Sequence, residues 1–285
     1  MYTLENVLRP ASQSMGLQIL FSRTIAGARS QGGRLFFDPV WRPNPRYSLR
    51  AYIIVGLTSI TNIPKIMRAR GWNNGAALMD KWFSGPPKTK PSFASPDEST
   101  IKMDAWALKV PRAKAAFDEM VAKKIWASPK AIADVWPKRA ATLGPGCFDI
   151  SGWSVPKQHE MHVNFQAVTD GWSLTLDDMV AALGNFSIYV TPLALEITPE
   201  KGKTRVTLQT VGFHIMDSFD FNGDQSLGYW NEADNSASAT PTWSGDKVTN
   251  ESFRNWRATN GRGGDFLVYS DVTTVKLSPP ESFLV

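Results

Sequence analysis

Phe186-Ser187-Ile188-Tyr189-Val190-Thr191 puts an apolar side chain at every second position. That is the period of a half-buried strand, not of a helix. The same period recurs on both sides of it. Upstream, Met161, Val163, Phe165 and Ala167 alternate with His162, Asn164 and Gln166, and downstream Val206, Leu208 and Thr210 continue it. Phe266, Val268 and Ser270, then Val272 to Leu277, predict two further strands. Two short helices interrupt them. Thr175 and Asp178 have capping-box spacing before Met179 to Leu183, with Gly184 as the stop, and Asn250 is placed to cap Glu251 to Thr259. Residues 147–285 are therefore expected to be an α+β domain on an antiparallel sheet.

Residues 61–146 read as mainly helical. Asn62 and Pro64 suit a cap and first turn that Gly71 ends. Asn74 is placed to cap a second helix whose Leu78, Met79, Trp82 and Phe83 share a face. Pro91 to Glu98 reads as a linker, and Ile101 to Val110 alternates as a strand would. Pro111 opens a helix with a stripe of Ala113, Phe117, Met120, Val121 and Ile125. Ser128-Pro129 opens another that reaches Leu143, before Gly144-Pro145-Gly146 marks the boundary. Residues 1–60 show no sustained period and read as an irregular, basic arm that Leu35-Phe36-Phe37 and Trp41 can pin to a core.

Charge divides in the same place. Residues 1–139 hold 22 Lys and Arg against 9 acids, residues 140–285 hold 9 against 17, and the whole chain carries +5. The basic half can face a polyanion, an anionic lipid or the acidic half of its own chain. Nucleic acid is not expected as a partner, because the eleven Trp are scattered and form no stacking platform. No apolar run reaches the roughly 18 residues of a membrane span, and no Sec signal peptide is expected. A lone Cys147 excludes an internal disulfide.

One segment concentrates groups able to bind a metal or handle a phosphate: Asp217-Ser218-Phe219-Asp220-Phe221-Asn222-Gly223-Asp224. Asp217 and Asp220 fall on opposite faces of a strand, so they address one ligand only if the strand ends or bulges there. Asn222-Gly223 makes that turn. Asp217, Asp220 and Asp224 are the candidate ligands for Mg²⁺ or Ca²⁺. The calcium-loop spacing of Asp220, Asn222 and Asp224 fails at Gln225 and Asn231. A metal or catalytic site and a solvated strand end both remain open readings of this segment. Arg254 and Arg257, one turn apart, present two guanidinium groups suited to phosphate, or pair with Glu251 and other acids around the core anchors Phe253 and Trp256. Gly261-Arg262-Gly263-Gly264 follows a helix and precedes a strand, the reverse of a phosphate loop, and reads as a tight connection. His214 lies in the strand leading to Asp217 and is a conceivable acid or base. His159 and His162 read as facing opposite sides of a strand.

Four phrases together resemble the bacterial domain-of-unknown-function 6402 family, which is associated with type VI secretion. They are Asn62-Ile63-Pro64 through Trp82-Phe83, Leu176-Asp177-Asp178 through Phe186, Asp217 through Trp230, and Phe253-Arg254-Asn255-Trp256-Arg257 through Phe266. Separately, Asp217-x-Phe219-Asp220 resembles the Asp-x-Tyr-Asp motif of colicin M-type bacteriocins. This second resemblance implies Mg²⁺-assisted hydrolysis of the pyrophosphate link in lipid II. Asp217 and Asp220 match, Phe219 replaces the tyrosine, and the His-Arg pair of that motif falls at Ser226-Leu227. His214, Arg254 or Arg257 would have to supply that role. Together the resemblances imply an antibacterial effector, made in the producer's cytoplasm and delivered to a target periplasm. Its partners would be secretion components and a cognate immunity protein. A noncatalytic adaptor or chaperone, or a carbohydrate- or calcium-binding module, is the alternative.

Overall fold

The computed structural model describes residues 28–31, 34–37, 58–92, 94–169 and 175–285. Met1–Thr58 and Ser59–Val285 are two separate compact units. In the first, the arm expected to be irregular contains an antiparallel hairpin, β1 (Ala28–Gln31) with β2 (Arg34–Phe37). Trp41, expected to pin it, lies outside the described residues. The second unit is α+β, and the change of pattern at Cys147 is a change of element type inside that one unit.

Two long strands organise it. β5 (Phe186–Glu200) and β6 (Lys203–Phe219) pair antiparallel from Ser187 opposite Met216 to Glu200 opposite Lys203. Each outer side is covered by two strands laid end to end. β6 takes β10 (Phe266–Tyr269) and β11 (Thr273–Leu284), while β5 takes β3 (Gly146–Asp149) and β4 (Asn164–Val168). A second small sheet, in the order β8 (Ser236–Ser238), β7 (Ser226–Asn231), β9 (Asp246–Thr249), follows the acidic segment. Val211, Phe213, Ile215 and Phe219 alternate onto the core face of β6 and are buried.

The helices cover that face. α1 (Ile63–Ala69) and α2 (Asn73–Ser84) bury Ile66, Met67, Leu78, Met79 and Trp82. α3 (Pro111–Ala122) places Phe117 against Phe213 at 4.9 Å. α4 (Trp136–Leu143) follows a π turn over Ala131–Val135, and Ser128 Oγ accepts the Ala131 N–H ahead of it. α5 (Val155–His159), which the periodicity did not anticipate, is a third helix in the β-rich part, beside α6 (Asp178–Leu183) and α7 (Asn250–Asn260).

Several expected caps turn out to be tertiary contacts. Asn62 donates to Glu232 Oε2 at 2.6 Å and makes no side-chain cap. Asn74 lies inside α2 and donates to Asp178. Thr249, not Asn250, caps α7 in a capping box with Ser252. The expected linker is bound to the sheet: Asp97 is buried and exchanges backbone bonds with Leu267 and Tyr269 of β10. Ile101 to Val110 is not a strand but a run of turns with a 3-10 helix at Ala107–Lys109. There the Asp271 carboxylate takes the Met103 N–H and Asp104 takes the Thr273 hydroxyl, replacing a ladder. Ile101, Met103 and Ala107 are buried nonetheless, so their alternation reported burial and not strand geometry.

Asp177 and Asp178 hold the helical layer together. Asp177 caps α6 through the Val180 N–H and takes both Nη atoms of Arg112 at 2.7 and 2.8 Å. Asp178 accepts the Gly75 N–H at 2.9 Å, the Asn74 amide at 2.9 Å and the Trp106 indole at 3.1 Å. Gly75 is needed where α2 meets α6, since a Cβ would stand 2.7 Å from that of Ala181. Asp178→Ala leaves three donors unpaired and is expected to cost about 2–3 kcal/mol, read as a lowered urea midpoint at unchanged slope.

Candidate functional site

Asp217 sits where the β6 alternation calls for an apolar residue. It shares the core face with Ile215 and Phe219 and stands opposite Val268 of β10. It escapes full burial because the strand ends two residues later and a cavity of about 320 Å³ opens beside it. Met67, Met79, Leu176, Val180, Trp230 and Phe253 supply the apolar wall of that cavity. Asp217, Asp220, Asn222, Gln225 and Asn250 supply polar groups, with Asn185 at the C-terminal end of α6. Burial pushes the Asp217 carboxyl up to about 8; the Ser218 backbone N–H opposes the shift, and the neighbouring Asp220 charge adds to it. A carboxylic acid is therefore present in protonated form at neutral pH in the wall of an apolar pocket.

The loop after β6 closes as the Asn-Gly pair requires. Asp220 Oδ1 accepts the Asn222 N–H at 3.0 Å, and Gly223 adopts a φ of +72°. Phe221 stacks on Phe253 with ring centroids 3.8 Å apart, which fixes the loop against α7. The strand therefore does end between the two aspartates, and both line one pocket although their registers differ.

The other expected site residues separate. Arg254 reaches the loop, donating to the carbonyls of Phe221 at 2.9 Å and Gly223 at 2.5 Å, with Asp224 at 3.4 Å. It holds the loop from outside the pocket lining. Arg257 turns the other way and is buried against Asp265, its guanidinium 5.1 Å from the Trp82 ring. His214 is fully buried in a different cluster. Its Nε2 meets His159 Nδ1 at 2.9 Å, and His159 stacks on His162 at 4.8 Å. Because residues 155–159 are helix, not strand, His159 and His162 fall on one side, contrary to the expected opposition. Burial pushes His159 down to about 4 and His214 to about 3, with neighbouring imidazoles adding to both, so these rings are neutral at pH 7.

Asp224 does not join Asp217 and Asp220; its side chain is 100% exposed. One Asp220 oxygen is already occupied by Asn222. Among the described residues no three His, Cys, Asp or Glu side chains converge as metal ligands. The aspartates do not fit the several convergent oxygens that Mg²⁺ or Ca²⁺ needs.

Asn250 does not cap α7 as its position predicts. With Thr249 as the cap, Asn250 is 3% exposed, donates to the Asn222 carbonyl at 2.5 Å and leaves its Oδ1 buried without a donor. The signal that could have placed it is the competing Thr249 and Ser252, three residues apart.

Fold and site together define an α+β protein with an acid-bearing apolar pocket at the end of its central strand. The chain belongs to a family of unknown function, DUF6402, whose model matches residues 58–245 and 246–285. No curated protein and no solved structure gives a significant match. Among the described residues no helix is long and apolar enough to cross a membrane.

Proposed function

We propose that this protein is an antibacterial effector hydrolase acting on an amphiphilic cell-envelope substrate, with Asp217 as general acid and Asp220 as the base beside it. The observation that carries the reading is the Asp217 carboxyl, placed on the core face of β6, held up to about 8, and open to a pocket large enough for a ligand. In the reaction, the scissile bond to the leaving oxygen breaks as Asp217 gives that oxygen its proton. A water oxygen bonds to the substrate centre and passes a proton to Asp220. The apolar wall takes the aliphatic part of the substrate and excludes bulk water. Delivery by a type VI apparatus, action in the target periplasm and a cognate immunity protein belong to the same proposal, and the family resemblance supports them.

A second reading places a phosphate ester or pyrophosphate of a lipid-linked precursor at the site. The Asp217-x-Phe219-Asp220 spacing favours it.

Expression of the chain with and without an added export signal tests the proposal. Killing is expected in the periplasm, with Asp217→Asn abolishing it while the circular dichroism spectrum and accumulated protein stay unchanged. Survival with the wild-type chain in both compartments, or killing by the variant, refutes the assignment.

A further inference from the structure

We infer that His159, His162 and His214 form an acid-operated latch that holds residues 150–162 on the outer face of the sheet and releases them in mild acid while β5 and β6 stay paired. The inference is independent of the proposed function. Three observations carry it. First, the three rings sit on one another with no acid between them. His214 alternates away from Phe213 and Ile215, so it lies on the face opposite the main core, yet it is fully buried. His159, the last residue of α5, covers it and meets its Nε2 through Nδ1 at 2.9 Å. His162 stacks on His159 and donates from Nδ1 to the His159 carbonyl at 2.7 Å. The groups facing the rings from neighbouring elements are Tyr189 of β5, Tyr269 of β10 and Arg139 of α4, which donates to the His162 carbonyl at 2.9 Å. Glu98 and Glu160 act on Tyr269, Glu160 also on Arg139, and Lys157 of α5 lies over the Trp153 ring. Among the described residues no carboxylate hydrogen-bonds to an imidazole.

Second, the contact between His159 and His214 has room for one proton. A neutral imidazole donates from one nitrogen and accepts at the other, whereas an imidazolium only donates. Protonating both rings sets two N–H groups against each other, and His214 Nδ1 already lacks a partner. Burial and the neighbouring rings hold His214 neutral down to about 3, and burial, His162 and Arg139 hold His159 neutral down to about 4. Third, the segment is attached apart from the main core. Ile150, Met161 and Leu193 form a small apolar cluster of their own, so few buried contacts besides the histidines oppose local opening. Released rings titrate near 6.5. The open form therefore binds more protons than the closed one, and closure weakens as pH falls from about 6.5 towards 4.

Hydrogen exchange of the full chain at pH 7.5 and 5.0, corrected for the intrinsic rate, tests this. The amides of Gln158, Glu160 and Met161 are bonded in the closed form and are expected to be protected at pH 7.5. A released helix of five residues does not persist in water. At pH 5.0 the opening of these amides is expected to rise by about a hundredfold, the effect of two rings, while β5 and β6 keep their protection. His214→Gln can still donate to or accept from His159 but does not titrate, and it is expected to cut that rise to about tenfold. If this variant does not fold, His159→Gln, at a half-buried position, takes its place with the same expectation. The chain has three histidines in all, so their ring resonances report on the wild type directly and are expected to titrate with the opening. Equal protection at both pH values, a segment already open at pH 7.5, or loss spread evenly through β5 and β6 overturns the inference. So does an acid response undiminished in the variant, or rings that titrate near 6.5 while the segment stays protected.

Discussion

Asp265→Ala is expected to destabilise the fold by about 3–5 kcal/mol, the range for breaking a buried ion pair from one side. Asp265 is 1% exposed, and its Oδ1 accepts both the Arg257 guanidinium and the Trp82 indole N–H, the latter at 2.9 Å. Around them Trp82 packs edge-on against Phe221 at 4.9 Å and Phe253 at 5.4 Å, so no water is at hand to replace the lost carboxylate. The variant strands a guanidinium whose Nε already lacks a partner, and it also unpairs the indole. The loss reaches the pocket, because Phe221 and Phe253 belong to both the aromatic cluster and the pocket wall. Arg257→Met combined with Asp265→Ala is expected to lose less than the sum of the two single variants, since the second change removes the stranded charge. Urea unfolding of the four proteins measures the cycle. A loss below about 1 kcal/mol for Asp265→Ala would mean the pair is solvated like a surface bridge. The same geometry explains why Arg257, one turn from Arg254, serves the core and not the pocket.

The long strands were legible because each position of β5 and β6 answers to one variable, the face it presents. Where residues answer to two, the reading failed. Ile101 to Val110 carries the burial pattern of a strand, but the Met103 N–H is met by the Asp271 side chain, and the Asp104 carboxylate takes the Thr273 hydroxyl. Side-chain partners 168 and 169 positions away, the Asp271 acceptor and the Thr273 donor, leave no local period to detect. Asn62, Asn74 and Asn250 sit beside true helix starts, yet each amide is used across the fold, on Glu232, Asp178 and Asn222. Propensity located those ends and could not see the partners. The histidine cluster failed for a different reason. Ser154-Val155-Pro156 is a helix start, but the alternating Met161, Val163 and Phe165 just beyond it extended the strand reading back over His159. Of the site itself, the acids and the turn between them were legible. The third polar member, Asn250, and the apolar wall contributed by α1, α2 and α6 depend on tertiary packing alone.

Asp217→Asn is expected to reverse the usual sign of a site mutation and make the protein more stable at alkaline pH. The folded carboxyl titrates near 8 and the unfolded one near 3.8. Between those values the folded state binds the extra proton, so wild-type stability falls as pH rises from about 4 through 8 and levels off above. Each pH unit inside that window is worth at most about 1.4 kcal/mol. Allowing for the opening of Asp217 to the pocket, the loss between pH 5 and pH 8 comes to about 2–4 kcal/mol. Asparagine has no charge to desolvate. The variant should match the wild type near pH 4 and unfold at a distinctly higher temperature at pH 8.5, and other titrating groups cancel in the difference. Parallel wild-type and variant profiles from pH 5 to 9 would show that Asp217 titrates as an ordinary surface acid, and the general-acid role would fall with it. If the profiles diverge as expected, catalysis should share the window: hydrolysis that depends on the Asp217 proton declines as pH rises through 8. The core-face carboxyl then costs stability under the same conditions in which its proton is lost, as expected of a group kept for chemistry and not for packing.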